Sequence, residues 1–248
     1  ATIAWISDGQ DRDVDGIADD NGWVDLLTNA GYSVTRYDQT FRNSNGGPDA
    51  AVLNAEDLVI MSRDTSSGQY NNQAWNTDID TGLILMSAYL TRNTRLKWMD
   101  TGTTIGDAGL PTVDVDGGMF VMKNIPFYVE AGSNNVSFND GETGAGNGTV
   151  IAMVSASDEI LEGVQGAIVI AEWSAGVDFY EGAGVAPAGD RLFFAGGTRE
   201  NSEIGPGVYN LNPFGEAIFL NSVENMIPEP ATMLLLGLGS LALVRRRR

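Results

Sequence analysis

Cysteine and histidine are both missing from the 248 residues. Without cysteine there is no disulfide, thiolate metal site or thiol nucleophile. Without histidine the chain lacks the commonest general base and the commonest transition-metal ligand. Hydrolases of the cysteine or histidine kind are therefore excluded, and chemistry is left to carboxylates, hydroxyls, amides, Lys97 and Lys123, or a bound hard metal. Proline is scarce, at 8 residues against 31 glycines, which argues for many turns and against a fibrous or collagen-like repeat. Positive charge is scarcer than the net value of −19 suggests, because four of the 14 basic residues are Arg245, Arg246, Arg247 and Arg248. Residues 1–227 carry 10 basic and 32 acidic side chains, a balance of −22. Such a field repels nucleic acid and anionic lipid, and suits cations or simple solubility outside a cell.

What is present is a folding chain, 43% apolar and long enough for one large domain or two small ones. Thr2 to Ser7 is a short run of strand formers. Asn21 to Ala30 places Trp23, Leu26, Leu27 and Ala30 at helical spacing and stops at Gly31. Tyr32 to Tyr37, Asp57 to Ser62 and Gly82 to Leu90 read as further strands, with a helix around Tyr70 to Asp78. After Asp100 the chain becomes strand-rich, at Val113 to Met122, Pro126 to Ala131, Thr149 to Ser155, Ala167 to Trp173 and Arg191 to Ala195. A last helix is expected over Pro213 to Met226, capped by Asn212. Strands alternating with helices imply βαβ units. The expectation is an α/β domain over residues 1–226, with a doubly wound, mainly parallel sheet and a strand-rich second half.

The segments TIAWIS, DDNGWVDLLTNAGYSV, EDLVIMSRD, GLILMSAYLTR and RLFFAGGTRE resemble a class I glutamine amidotransferase-like (flavodoxin-like) domain. The resemblance is one of pattern. In those enzymes a cysteine pairs with a histidine and a glutamate, and neither cysteine nor histidine exists here, so the fold is expected without the activity.

Residues 227–248 differ from everything before them. Pro228, Glu229 and Pro230 precede 14 uncharged residues, Ala231 to Val244, and then the four arginines. The apolar run is shorter than the roughly 20 residues of a comfortable transmembrane helix. A buried C-terminal helix would explain the run but not the arginine block, which fits cytoplasmic retention under the positive-inside rule. In order and position the three parts resemble the PEP-CTERM sorting signal. That resemblance implies secretion, transient anchoring in the inner membrane and processing near the tripeptide by an exosortase. It also implies a Gram-negative, exopolysaccharide-making host. The first residue, Ala1 rather than Met, sets the expectation of a secretory signal peptide removed or left out.

One local motif points to a ligand. Asp11, Asp13, Asp15, Gly16 and Asp19 follow the D-x-D-x-D-G-x-x-D spacing that lets carboxylates converge on a hard cation while the chain turns. It resembles thrombospondin type 3 and EF-hand-like calcium loops, except that Gly22 stands where an EF-hand has a bidentate glutamate. The motif lies between the first strand and first helix, at the carboxyl edge where doubly wound sheets place ligands. The competing reading is that Asp19 and Asp20 cap that helix. Arg92, Arg95 and Lys97 form a second cluster, able to hold an anionic sugar or to pair with the protein's own acids. Glu172 beside Trp173 could be half of a glycosidase carboxylate pair. Gly141 to Gly148 lacks a phosphate-loop lysine and reads as a flexible turn.

The leading functional expectation is a non-catalytic, secreted cell-surface, biofilm or matrix protein, self-associating and calcium-stabilised. The alternatives are a carboxylate-based glycoside hydrolase on exopolysaccharide, and a carbohydrate-binding module that stacks sugars on Trp75, Trp98 and Trp173.

Overall fold

The computed structural model describes residues 1–12, 14–107, 112–116, 121–129, 136–139, 143–156, 164–198 and 207–228. The first strand, β1 (Thr2–Ser7), is buried at every position after Thr2. A strand covered on both faces carries a continuous apolar run, and Ile3, Ala4, Trp5 and Ile6 supply one. The helix α1 (Asn21–Asn29) turns Trp23 and Leu27 inward and stops where Gly31 takes φ +95°. Next come β2 (Ser33–Asp38), α2 (Ala50–Leu53), β3 (Leu58–Met61), α3 (Ala74–Thr77), β4 (Leu83–Leu85) and α4 (Ala88–Thr91). The second half holds β5 (Thr104–Asp107), β6 (Thr112–Asp116), β7 (Val121–Pro126), β8 (Val136–Asn139), β9 (Thr149–Val154), β10 (Ile168–Trp173) and β11 (Arg191–Phe194). Helix α5 (Pro213–Met226) closes the fold, with the Asn212 side chain accepting from the Phe214 and Gly215 N–H groups at 3.0 and 2.9 Å.

Among the described residues the strands form one mixed sheet, ordered β2-β1-β3-β4-β11-β10-β9-β6-β7, with β8 against β10 and β5 against β8. The pairs β1–β2, β1–β3, β3–β4 and β4–β11 are parallel, and the other six are antiparallel. This corrects the doubly wound, flavodoxin-like expectation, and the amidotransferase-like pattern does not extend to the architecture. The helices α2, α3 and α4 are four residues each, and α1 and α5 are the longer ones among the described residues. Two physical reasons account for the misreading. The apolar run from Gly82 to Leu90 divides, with three residues pairing in β4 and the chain turning at Ser87 into α4. Between β2 and β4, loops and one-turn helices rather than long helices bring aromatics into the core, as with Phe41 and Tyr70, whose rings both meet that of Trp75 on α3.

The core joins both halves. Phe219 of α5 packs at 4.9 Å from Trp23 of α1 and 5.1 Å from Phe194 of β11, both edge-on. Trp98 stacks on Phe179 at 5.6 Å and lies 5.6 Å from Trp173. Arg191, at the start of β11, is wholly buried, and its guanidinium donates to the carbonyls of Thr81, Asp190, Trp75, Asn76 and Ile79. Burial pulls its pKa down to about 10, so it remains a cation at neutral pH, tying β11 to α3 and to the segment that joins α3 to β4.

Candidate functional site

The carboxyl ends of β1 and β3 gather the densest set of buried charges. Ser7 and Asp8 follow from β1, Ser62 and Asp64 from β3, and Asp19 and Asp20 lead into α1; all six are at most 2% exposed. The Asp20 carboxylate accepts from Trp5 Nε1 at 2.9 Å, Ser7 Oγ at 2.7 Å, Ser62 Oγ at 2.5 Å and Arg36 Nη2 at 2.8 Å. Asp8 accepts from Arg42 Nε at 2.8 Å, the Tyr70 hydroxyl at 3.0 Å and the Ser66 N–H at 3.0 Å. Asp64 accepts from the Gln10 N–H at 2.9 Å and Arg12 Nη2 at 3.1 Å. Burial raises the Asp64 pKa above the usual carboxylate value, against the pull of those two donors. Burial, then the Asp8 charge, push the Tyr70 hydroxyl well above the ordinary tyrosine value. Each carboxylate is matched by donors, the arrangement that a dehydrated charge requires. The carboxylate oxygens of Asp8, Asp20 and Asp64 are thus all occupied, while on the donor side Arg36 Nη1 is buried with no hydrogen-bond partner among the described residues.

The aspartate motif from Asp11 to Asp19 runs beside this network. Asp11 accepts from the N–H groups of Asp15 and Gly16 at 3.0 and 2.8 Å, and Asp15 accepts from Ile17 N–H at 2.8 Å. Asp19 points inward, where the Arg12 N–H reaches it at 2.9 Å and the Arg12 guanidinium forms an ion pair with it. Asp13 lies outside the described residues. Among the described residues no group of three acidic side chains is spaced to share a metal ion. The capping reading also needs correction. Asp20 is the N-cap of α1 by position but makes no side-chain cap bond, because its carboxylate faces β1 and β3 instead. Gly22 has a steric origin: a Cβ there would lie 1.9 Å from the carbonyl oxygen of Gly207.

The three tryptophans expected to stack sugars are in the core, with Trp75 and Trp98 fully buried and Trp173 3% exposed. That platform does not exist at the surface. Glu172 is exposed, on the wall of a cleft of about 370 Å³ beside α5 that also includes Asp116, Asp190 and Asn225. Within the Gly141 to Gly148 stretch, residues 141 and 142 lie outside the described residues. Gly148 is where the backbone comes closest, since a Cβ there would fall 2.4 Å from Trp173 Nε1. Sequence reasoning missed Asp8, Asp64, Arg36 and Arg42; Asp8 and Asp64 had one local signal, their position just past an apolar strand run, and Arg36, inside β2, and Arg42, beyond it, had none.

The body ends where the tail begins. Ile227 N–H bonds back to the Glu224 carbonyl at 3.3 Å, and Pro228 is exposed. Gly82, just before β4, sits so close to the Met226 carbonyl that a Cβ would come within 2.6 Å of it. The chain therefore leaves the fold at the amino end of β4, on the rim of the cleft, which Asn225 and Met226 help to line. Residues 227–248 match the PEP-CTERM protein-sorting motif. That motif implies a secreted, cell-surface protein processed by an exosortase. Of the PEP-CTERM positions, Glu229, Pro230 and Arg245 to Arg248 lie outside the described residues; among the described ones, no helix is long and apolar enough to cross a membrane. No curated protein matches the chain. In shape it is similar to the solved structure of Cytoplasmic Protein STM3548 from Salmonella typhimurium, at 9% identity and a TM-score of 0.49, over 90% of this chain and 97% of that one. A likeness at that level transfers no function.

Proposed function

We propose that the chain is a non-catalytic surface or matrix protein of a Gram-negative bacterium, displayed or released by exosortase processing of an inner-membrane-anchored precursor. The observation that carries this reading is the PEP-CTERM motif beginning one residue after α5 ends. The saturated carboxylates support the non-catalytic part, since Asp8, Asp20 and Asp64 have their oxygens occupied by donors and guanidiniums. The test is to follow the protein in its host with and without the exosortase. The reading requires export of a tail-less form in the first strain and retention of the tailed precursor in the second. Secretion of tail-less protein by the exosortase-deficient strain would refute it.

Calcium stabilisation belongs to the same proposal in a stricter form. With Asp19 held by Arg12, a cation shared by Asp11, Asp13, Asp15 and Asp19 would have to displace that guanidinium. Saturation at 100 times the dissociation constant would raise stability by about 2.7 kcal/mol. A melting temperature unchanged by millimolar calcium rejects it. Self-association into a matrix is read from sedimentation of the purified body across its concentration range; a monomer throughout rejects that part.

The second reading, a carboxylate glycoside hydrolase, is favoured only by the cleft, whose lining includes Glu172, Asp116 and Asp190. It requires that Glu172→Gln abolish turnover of an exopolysaccharide substrate that the unaltered protein cleaves.

A further inference from the structure

Asparagine followed by glycine is the pairing in which the main chain most readily attacks its own side chain, because glycine has no Cβ to shield its nitrogen. The sequence holds three such pairs, Asn21–Gly22, Asn45–Gly46 and Asn147–Gly148. Locally they are alike, and the fold separates them. Ring closure brings the glycine nitrogen onto the asparagine Cγ, so the intervening peptide must swing. At Asn21 that swing is blocked. Asn21 opens α1, and a Cβ on Gly22 would lie 1.9 Å from the Gly207 carbonyl oxygen. Asn147 is exposed, but the chain around it is pinned. A Cβ on Gly146 would lie 2.6 Å from the Phe179 carbonyl oxygen, and one on Gly148 2.5 Å from that of Glu172. Gly148 N–H donates to the Ala145 carbonyl at 2.9 Å, and Asn147 Nδ2 to that of Asp178 at 2.8 Å.

Asn45 has none of this packing. It ends a single 3-10 turn, Asn43–Asn45, and both it and Gly46 are exposed. Gly46 takes φ +105°, and a Cβ there would meet nothing within 4 Å. Two bonds restrain the pair: Gly46 N–H donates to the Asn43 carbonyl at 3.2 Å, and Asn45 Nδ2 to the Gln39 carbonyl at 2.8 Å. Bonds at an exposed turn open far more often than those locked beneath packed segments.

We infer that Asn45 is a deamidation site of the folded protein, while Asn21 and Asn147 react only when it unfolds. Gly46 gives up its N–H proton to solvent base, and its nitrogen attacks Asn45 Cγ. The new N–Cγ bond forms as the Cγ–Nδ2 bond breaks, and the side-chain nitrogen leaves as ammonia. Water then opens the succinimide ring. Attack at the side-chain carbonyl leaves aspartate at position 45, and attack at the main-chain carbonyl leaves isoaspartate. Water is the only co-reactant.

The change bears on the buried carboxylates. Gln39 sits at φ +58°, a conformation unusual for any residue with a Cβ, and its carbonyl is held by Asn45 Nδ2 and by Arg42 N–H at 3.3 Å. Gln39 in turn donates from Nε2 to the Asp8 carbonyl at 2.9 Å and accepts from Arg42 Nη1 at 3.1 Å. A carboxylate at position 45 cannot donate, and it sets negative charge against the Gln39 carbonyl oxygen. Deamidation therefore loosens the turn that steadies the Arg42–Asp8 ion pair.

The test incubates the full chain at mildly alkaline pH in heavy-oxygen water, folded and in denaturant, and reads label at each asparagine by peptide mass mapping. In the folded chain Asn45 should convert about tenfold or more faster than Asn21 and Asn147, and in denaturant the three rates should converge. Asn21 or Asn147 converting as fast as Asn45 in the folded chain overturns the assignment. So does an unlabelled Asn45 in the folded chain when all three take label in denaturant. The structural consequence is read from Asn45→Asp, which reproduces the aspartate product. Its melting temperature by circular dichroism should fall below that of the unaltered chain. An unchanged melting temperature overturns the coupling to the Gln39 turn.

Discussion

Asp20 distinguishes a helix cap from a buried anchor. Its carboxylate holds an indole, two hydroxyls and Arg36, from β1, β2 and the loop after β3. Loss of a cap costs about 1 kcal/mol, whereas removing one partner of a buried charge pair costs about 3 to 5 kcal/mol. Asp20→Ala is therefore expected at the larger value in urea denaturation; a loss near 1 kcal/mol would restore the capping role. Tyrosine gives a pH prediction at the same scale. Tyr70 and Tyr128 are both raised by burial, Tyr70 also by Asp8. Above pH 10 the unfolded chain releases those protons before the folded chain does, so the folded state binds more protons and stability falls with rising pH. Absorbance at alkaline pH should show these two phenols titrating only as the protein unfolds. Early, reversible ionisation of every tyrosine with the fold intact would contradict it.

At the level of elements, α1 is fixed by a contact that no local pattern announces. Gly22 meets the Gly207 carbonyl so closely that any side chain must force the two apart. Gly22→Ala should cost about 1 to 3 kcal/mol, as overpacking does, measured by thermal or urea unfolding. Gly22→Glu, which would complete an EF-hand-like loop on paper, should be worse and not a gain in calcium affinity. A neutral Gly22→Ala would mean the Gly207 segment yields freely. Helix α5 stands at the other extreme. Its span and its Asn212 cap were legible in the sequence because the signals are local: a cap residue, a proline at the first turn and apolar residues recurring along the helix. The expected strand Gly82 to Leu90 was not, since whether an apolar run pairs or turns depends on what lies beside it.

For the whole molecule, the order of body and tail constrains processing. Phe219 and Val223 of α5 are buried, so the domain needs α5 intact to cover Trp23 and Phe194. Only Ile227 to Pro230 separate α5 from the apolar run, a reach of at most about 14 Å when extended. Intact mass of the exported form should therefore place the cleavage after Met226 and near Pro228. A mature protein retaining Arg248, or one ending inside α5, would count against exosortase processing at the tripeptide. A chain truncated at Pro228 should fold, and one truncated at Asn212 should expose its aromatic core and aggregate.

The sequence by itself determined the tail, because a sorting signal is a linear pattern whose three parts are contiguous and are read in order. It also determined what chemistry is closed to the chain, through the missing cysteine and histidine. Only the tertiary structure decided that the sheet is mixed, with β11 returning beside β4 after about a hundred residues. It alone placed Trp75 and Trp98 in the core, bound Asp19 to Arg12, and set Arg63 and Arg92 over one tyrosine. The contacts of Trp75 with Phe41, of Trp98 with Trp173 and of Arg63 with Tyr89 lie tens of residues away, as do the partners of β1 and β4, and short-range spacing carries no information about which distant segments will pair. Even Asp19, seven residues from Arg12, is settled by the inward turn of the loop around it. A carboxylate at a loop tip and one buried against a guanidinium look the same in sequence; burial, set by the completed fold, is what separates them.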